Sequence, residues 1–202
     1  MRNDGLFWLM KFPSLSVHFL CALGLCSVVL AEGEVKNPVK KLIGFEDQAA
    51  EPKWIAINDG VMGGLSEGGP EVKGGSLYFT GNLSLENNGG FSSIRTLDQK
   101  YDFSGKTAVV IRLKGDGRKY QLRLATDARF RGSAISYGAE FATEKGKWIE
   151  VKVPLDSLSP SWRGMKLKGP EFHSAKVEEL GFLISDKNAG AFEIEVDWIA
   201  VE

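Results

Sequence analysis

Cysteine and histidine are almost missing from this chain, and their scarcity excludes several kinds of chemistry. The 202 residues hold two cysteines, Cys21 and Cys26, and two histidines, His18 and His173. All but His173 fall in the apolar run 17–30, so a zinc cage, a disulfide framework or a cysteine nucleophile cannot be built from the rest. His173 sits between Phe172 and Ser174 without a Gly-x-Ser-x-Gly motif, which argues against serine-hydrolase chemistry. Phosphate motifs are lacking too. Gly60, Gly63 and Gly64 show neither the Walker spacing nor a dinucleotide pattern in a βαβ setting. An excess of one charge is also absent. With 25 basic and 26 acidic residues, the net charge of −1 offers no electrostatic footprint for nucleic acid or an anionic membrane. No catalytic residue, cofactor or metal is expected, although calcium held by carboxylates such as Asp59, Asp116 and Asp186 stays open because it needs only oxygen ligands.

The apolar run 17–30 has the length of a signal peptide and ends in Val29-Leu30-Ala31, a small-residue cleavage pattern. Cleavage after Ala31 is expected, with Met10-Lys11 as an alternative start. The polar segment 32–41 stops the run short of a membrane span. A transit peptide should be rich in Arg and Ser, and this end has Arg2 alone and a continuous apolar block. The expectation is a secreted or periplasmic protein without a stable membrane span. Residues 42–202 are expected to form a single domain, long enough to bury roughly 70% of its unfolded surface.

No stretch of ten residues after Ala31 keeps a helical period, and strand signals recur instead. They fall at 42–45, 76–83, 107–113, 120–124, 135–141, 148–153, 177–185 and 192–201. Gly115-Asp116-Gly117-Arg118 between the third and fourth reads as the loop of a β-hairpin. In the last strand Phe192, Ile194, Val196 and Trp198 alternate with Glu193, Glu195 and Asp197, the pattern of a half-buried antiparallel strand. The fold class is therefore all-β, an antiparallel sandwich or jelly roll. Its expected core is Tyr78, Phe91, Ile111, Leu122, Phe141, Trp148, Leu183 and Val196. The region 156–174 is left irregular.

The densest join of turn chemistry and apolar anchors is the stretch 54–66, WIAINDGVMGGLS. It reads either as a structural turn or as a ligand loop presenting backbone amides and Asp59. Four segments, NDGVMGGLS at 58–66, ENNGGFSSIR at 86–95, KGDGRKY at 114–120 and WIEVKVP at 148–154, resemble in order and spacing the complex I intermediate-associated protein 30 family. That resemblance runs from about residue 43 to 201. It implies a galactose-binding-like sandwich without established catalysis, whose mitochondrial members help assemble respiratory complex I.

Candidate binding residues are Asn58, Asp59, Met62, Ser66, Arg95, Asp116, Arg118, Tyr120, Trp162 and Arg163. Asp59 and Arg95 could instead pair as a structural bridge. Trp162 beside Arg163 is the aromatic expected to be most exposed, with most other tryptophans in the core. The expected function is non-enzymatic binding or assembly through a protein partner, the alternative being a secreted carbohydrate-binding module that takes a glycan. Nucleic acid is not expected as a partner.

Overall fold

The computed structural model describes residues 41–47 and 52–202. The expected cleavage site, the alternative start and the leader up to residue 40 lie outside the described residues. Thirteen strands follow in chain order: β1 (Lys41–Gly44), β2 (Trp54–Asn58), β3 (Glu67–Lys73), β4 (Ser76–Leu83), β5 (Ser92–Thr96), β6 (Ala108–Gly115), β7 (Lys119–Phe130), β8 (Ser133–Ala142), β9 (Trp148–Pro154), β10 (Ser159–Trp162), β11 (Met165–Lys166), β12 (Val177–Ile184) and β13 (Gly190–Val201).

They form two antiparallel sheets. One runs β3-β4-β13-β6-β9, with β1 also on β13, and the other runs β11-β10-β8-β7-β12-β5-β2. Period-2 patterning explains the faces. Tyr120, Leu122 and Leu124 of β7 are buried while Gln121 and Arg123 face out, as the sequence implies. Phe79 of β4 meets Tyr120 edge-on across the two layers at 6.4 Å and packs against Phe192 at 4.9 Å. The region 156–174, expected to be irregular, contributes β10 and β11, and β2, β3 and β5 are further strands that the sequence signals do not mark.

Two expectations fail here. β6 and β7 do not form a hairpin: β6 lies between β13 and β9 in one sheet, β7 between β8 and β12 in the other. The segment between them crosses from layer to layer. Of the expected core, Ile111, Leu122, Phe141 and Val196 are buried, whereas Tyr78, Phe91 and Leu183 are half-buried and Trp148 is 40% exposed. Tyr78 and Leu183 are each one position from the residues that point inward, Leu77 and Phe79 or Phe182 and Ile184. A one-residue slip exchanges the two faces of a strand.

Four of the chain's eight changes of sheet fall at β2→β3, β4→β5, β6→β7 and β12→β13. Register places these crossings at one end of the sandwich: Asn58 pairs with Ser92, Glu67 with Asn82, Gly190 with Leu83, and Ile194 with Gly115.

Candidate functional site

At that end the chain is tied together by a buried carboxylate. Asp59 opens a single 3-10 turn, Asp59–Met62, which Gly63 closes at φ 87. Its side chain has no solvent exposure and accepts from four donors. The Ser66 amide reaches Oδ1 at 2.9 Å, while the Ser66 hydroxyl at 2.5 Å and the amides of Gly90 at 2.6 Å and Phe91 at 3.2 Å reach Oδ2. Burial works to raise the Asp59 carboxyl, but these hydrogen bonds outweigh it and hold the group below the usual carboxylate range. One side chain thus fastens the β2→β3 crossing to the β4→β5 crossing.

The surrounding residues complete the clasp. Ser66 Oγ accepts the Ser84 amide at 3.0 Å. Asn58 Oδ1 accepts the Ser92 hydroxyl at 2.7 Å and its Nδ2 donates to the Gly68 carbonyl at 3.0 Å. The glycines of the two motifs are explained by space: a Cβ on Gly64 would lie 2.4 Å from Asp59 Cγ, and one on Gly89 would lie 2.6 Å from Oδ2. What this clasp holds up is apolar. Val61, Met62, Leu65 and Leu85 are 74%, 66%, 53% and 46% exposed, four of the six large hydrophobic side chains that the described residues leave in solvent.

A second tie lies at the same end. Arg118, on the β6→β7 crossing, grips Asp186 with Nε at 3.0 Å and Nη2 at 2.7 Å, and donates from Nη1 to the carbonyls of Gly190 at 3.1 Å and Ala191 at 2.8 Å. Asp116 accepts the Arg118 amide, the Tyr120 hydroxyl and the Glu193 amide, each at 2.9 Å. Burial, then the charge of Asp116, pushes the Tyr120 hydroxyl far up; hydrogen bonding to Asp186 raises Arg118. A shallow pocket of about 260 Å³ adjoins this tie, lined by Lys119, Gln121, Glu140 and Lys187 among others.

The candidates therefore divide. Asn58, Asp59, Ser66 and Met62 come together in the clasp, and Asp116, Arg118 and Tyr120 in the second tie. Arg95 does not meet Asp59. It pairs with Glu179 at 2.8 Å on the outer face of the seven-stranded sheet, and its Nε has no acceptor among the described residues. Trp162 is half-buried against Phe130 at 5.3 Å, with Arg131 and Arg163 over its ring, so among the described residues the exposed tryptophan is Trp148 instead. Val61, Leu65 and Leu85 were missed; the available signal was apolar residues set among turn-forming ones. Among the described residues no group of three or more His, Cys, Asp or Glu is placed to hold a metal.

The family described as Complex I intermediate-associated protein 30 matches residues 43–196. A curated relative from Mus musculus, "Complex I intermediate-associated protein 30, mitochondrial", is 28% identical over 178 residues. The match covers 78% of this chain and 54% of the relative, so the chain spans about half that protein's length. Among solved structures, a family 11 carbohydrate-binding module of a Clostridium thermocellum cellulosomal cellulase superposes with a TM-score of 0.60 at 12% identity, covering 81% of this chain and 94% of that one. The same kind of module from Clostridium thermocellum, in complex with a beta-1,3-1,4-mixed-linked tetrasaccharide, gives 0.57 at 12% identity over 73% and 87%. At such identity these likenesses establish the sandwich fold and nothing about ligand.

The secreted or periplasmic location expected from residues 17–30 is corrected by the mitochondrial relative. An apolar run reports length and hydrophobicity, which do not by themselves specify a compartment. Three quarters of the sequence falls inside the matched region, and the segments NDGVMGGLS and ENNGGF that build the Asp59 clasp lie within it: this chain belongs to the Complex I intermediate-associated protein 30 family.

Proposed function

We propose that this protein is a non-catalytic assembly factor for NADH:ubiquinone oxidoreductase (complex I) in the mitochondrion, holding a protein partner through the crest Val61, Met62, Leu65 and Leu85. The observation that carries the reading is the pairing of a rigid base with an apolar display. Asp59 locks two loops from below while the side chains above stay in solvent. A crest already held in place loses little conformational freedom when covered, so its buried apolar area appears as affinity. Chemistry at the same place is unsupported, because each Asp59 oxygen is engaged by structural donors and the hydroxyl that faces it, that of Ser66, is itself tied to the Ser84 backbone.

Met62→Ser/Leu65→Ser removes apolar surface without setting a new charge beside the buried Asp59. Tagged wild-type protein, incubated with detergent-solubilised mitochondrial membranes from its source, is expected to recover complex I subunits. The double variant is expected to recover at least about tenfold less at an unchanged melting temperature, the loss typical when one or two interface anchors are truncated. Equal recovery by both proteins would remove the crest from the reading. Binding on a glycan array with no respiratory subunits recovered would replace it with carbohydrate recognition.

A further inference from the structure

At the opposite end of β7 from the clasp, two hairpin tips lie side by side. Phe130 pairs with Ser133 and Trp162 with Met165, leaving the two-residue loops Arg131-Gly132 and Arg163-Gly164. Because β10 pairs with β8, with Ser161 opposite Ser136, the loops share one end of the sheet. Both have positive φ at both central positions: 49° and 79° in the first, 47° and 81° in the second. That backbone belongs to type I′ turns, where Asn, Asp and Gly are the favoured first residues. Arginine stands there twice, in a region that opposes any ordinary side chain.

The two arginines converge on one ring. Their guanidinium carbons lie 5.6 Å and 5.1 Å from the Trp162 ring centroid, and Arg131 also lies 5.4 Å from Phe130. Among the described residues neither has a carboxylate partner, nor have Lys166 and Lys168 just beyond. Two of the acids near this end are already taken, Glu178 by Arg129 at 2.7 Å and Asp127 by Lys176 at 2.8 Å. Met165 stands 47% exposed among these cations. Whole-chain neutrality hides this local excess of positive charge.

We infer that the Arg131/Arg163 tip is a docking surface for a membrane rich in anionic phospholipid. Protruding cations meet phosphates, and an exposed methionine beside them enters the acyl boundary. An acidic peptide fits less well, since the tips project and the neighbouring edge strand β11 is only two residues long, too short to template an added strand. Single-stranded nucleic acid would need a free aromatic face, and Trp162 is covered by Phe130 and the two guanidinium groups.

The test is sedimentation of the full chain with phosphatidylcholine vesicles, with and without phosphatidylserine, comparing wild type with Arg131→Asn/Arg163→Asn. Asparagine suits both turns, so the variant should melt no lower than wild type while losing two charges. Residues 1–40 are common to both proteins, and the difference between them isolates the tip. Wild type should prefer phosphatidylserine vesicles, and the variant's preference should fall about 30-fold, the ratio given by about 1 kcal/mol for each cation at a charged surface. An undiminished preference in the variant overturns the proposal. So does tighter binding of wild type to poly-glutamate or to single-stranded RNA than to the anionic vesicles.

Discussion

A carboxylate cut off from water normally resists ionisation, and Asp59 ionises more readily than usual because its four donors reward the charged form. The folded-state pKa is thus lower than the unfolded one. The stability it confers is present above the unfolded value of about 3.9 and is lost as pH falls through the folded value. Asp59→Asn puts an amide where Oδ1 or Oδ2 must accept, and should cost about 2–4 kcal/mol at pH 7 in urea denaturation. The gap between wild type and variant should shrink below about pH 4; a gap independent of pH would show that the carboxylate is not ionised in the folded protein. Space gives a second comparison. Gly64→Ala drives a Cβ against Asp59 and should cost at least about 2 kcal/mol, whereas Gly60→Ala, with nothing within 4 Å and no positive φ, should stay within about 0.5 kcal/mol of wild type. The sequence marks Asp59 and its glycines as belonging together, but it does not show which partners they have. Arg95 was a plausible mate for Asp59, yet it lies on the outer face opposite Glu179, 84 positions along the chain.

For the elements, strands were easier to find than their neighbours or faces. Residues 76–83 are β4 as read, and the alternation within β7 gives its inward residues correctly. The expected hairpin between β6 and β7 does not form, because a short glycine-bearing link suits a layer crossing as well as a turn within one sheet. In β13 the alternation fails for a local reason: a register shift between Val196 and Trp198 leaves Trp198 half-buried and Ile199 in the core. Glu195 goes under cover as well, with Lys114 at 2.5 Å. Tryptophan usually lies inside, but Trp148 sits on edge strand β9 beneath Lys114 at 5.2 Å and Arg112 at 5.5 Å. The β6→β7 crossing should be sensitive at Arg118. Arg118→Lys cannot reproduce the two-pronged grip on Asp186 together with the bonds to Gly190 and Ala191, and should lower stability by about 2–3 kcal/mol. Tyr120→Phe removes one bond to Asp116, which keeps the Glu193 amide, and should lower it by only about 1 kcal/mol. The reverse ranking would mean that the tyrosine, not the arginine, fixes the crossing.

Taken as a whole, the molecule is polar along β7. That strand starts at the crossing end, near the second tie, and finishes at the Arg131 tip, a span of roughly 40 Å at about 3.3 Å per residue. An apolar crest stands at the first end and an unbalanced basic tip at the other, on a frame of strands. Sites this far apart, with no shared partner, should act additively. The protein should therefore remain on phosphatidylserine vesicles while its crest captures complex I subunits from a solubilised membrane extract. Met62→Ser/Leu65→Ser should lower capture by at least about tenfold and leave vesicle binding within about twofold of wild type, whereas Arg131→Asn/Arg163→Asn should weaken vesicle binding and leave capture unchanged, as expected for independent sites. Loss of both activities in either variant, with melting unchanged, would mean that the two ends form one surface in the assembled state. A molecule of this design would hold its partner at a set distance from the bilayer, with the length of β7 as the spacer.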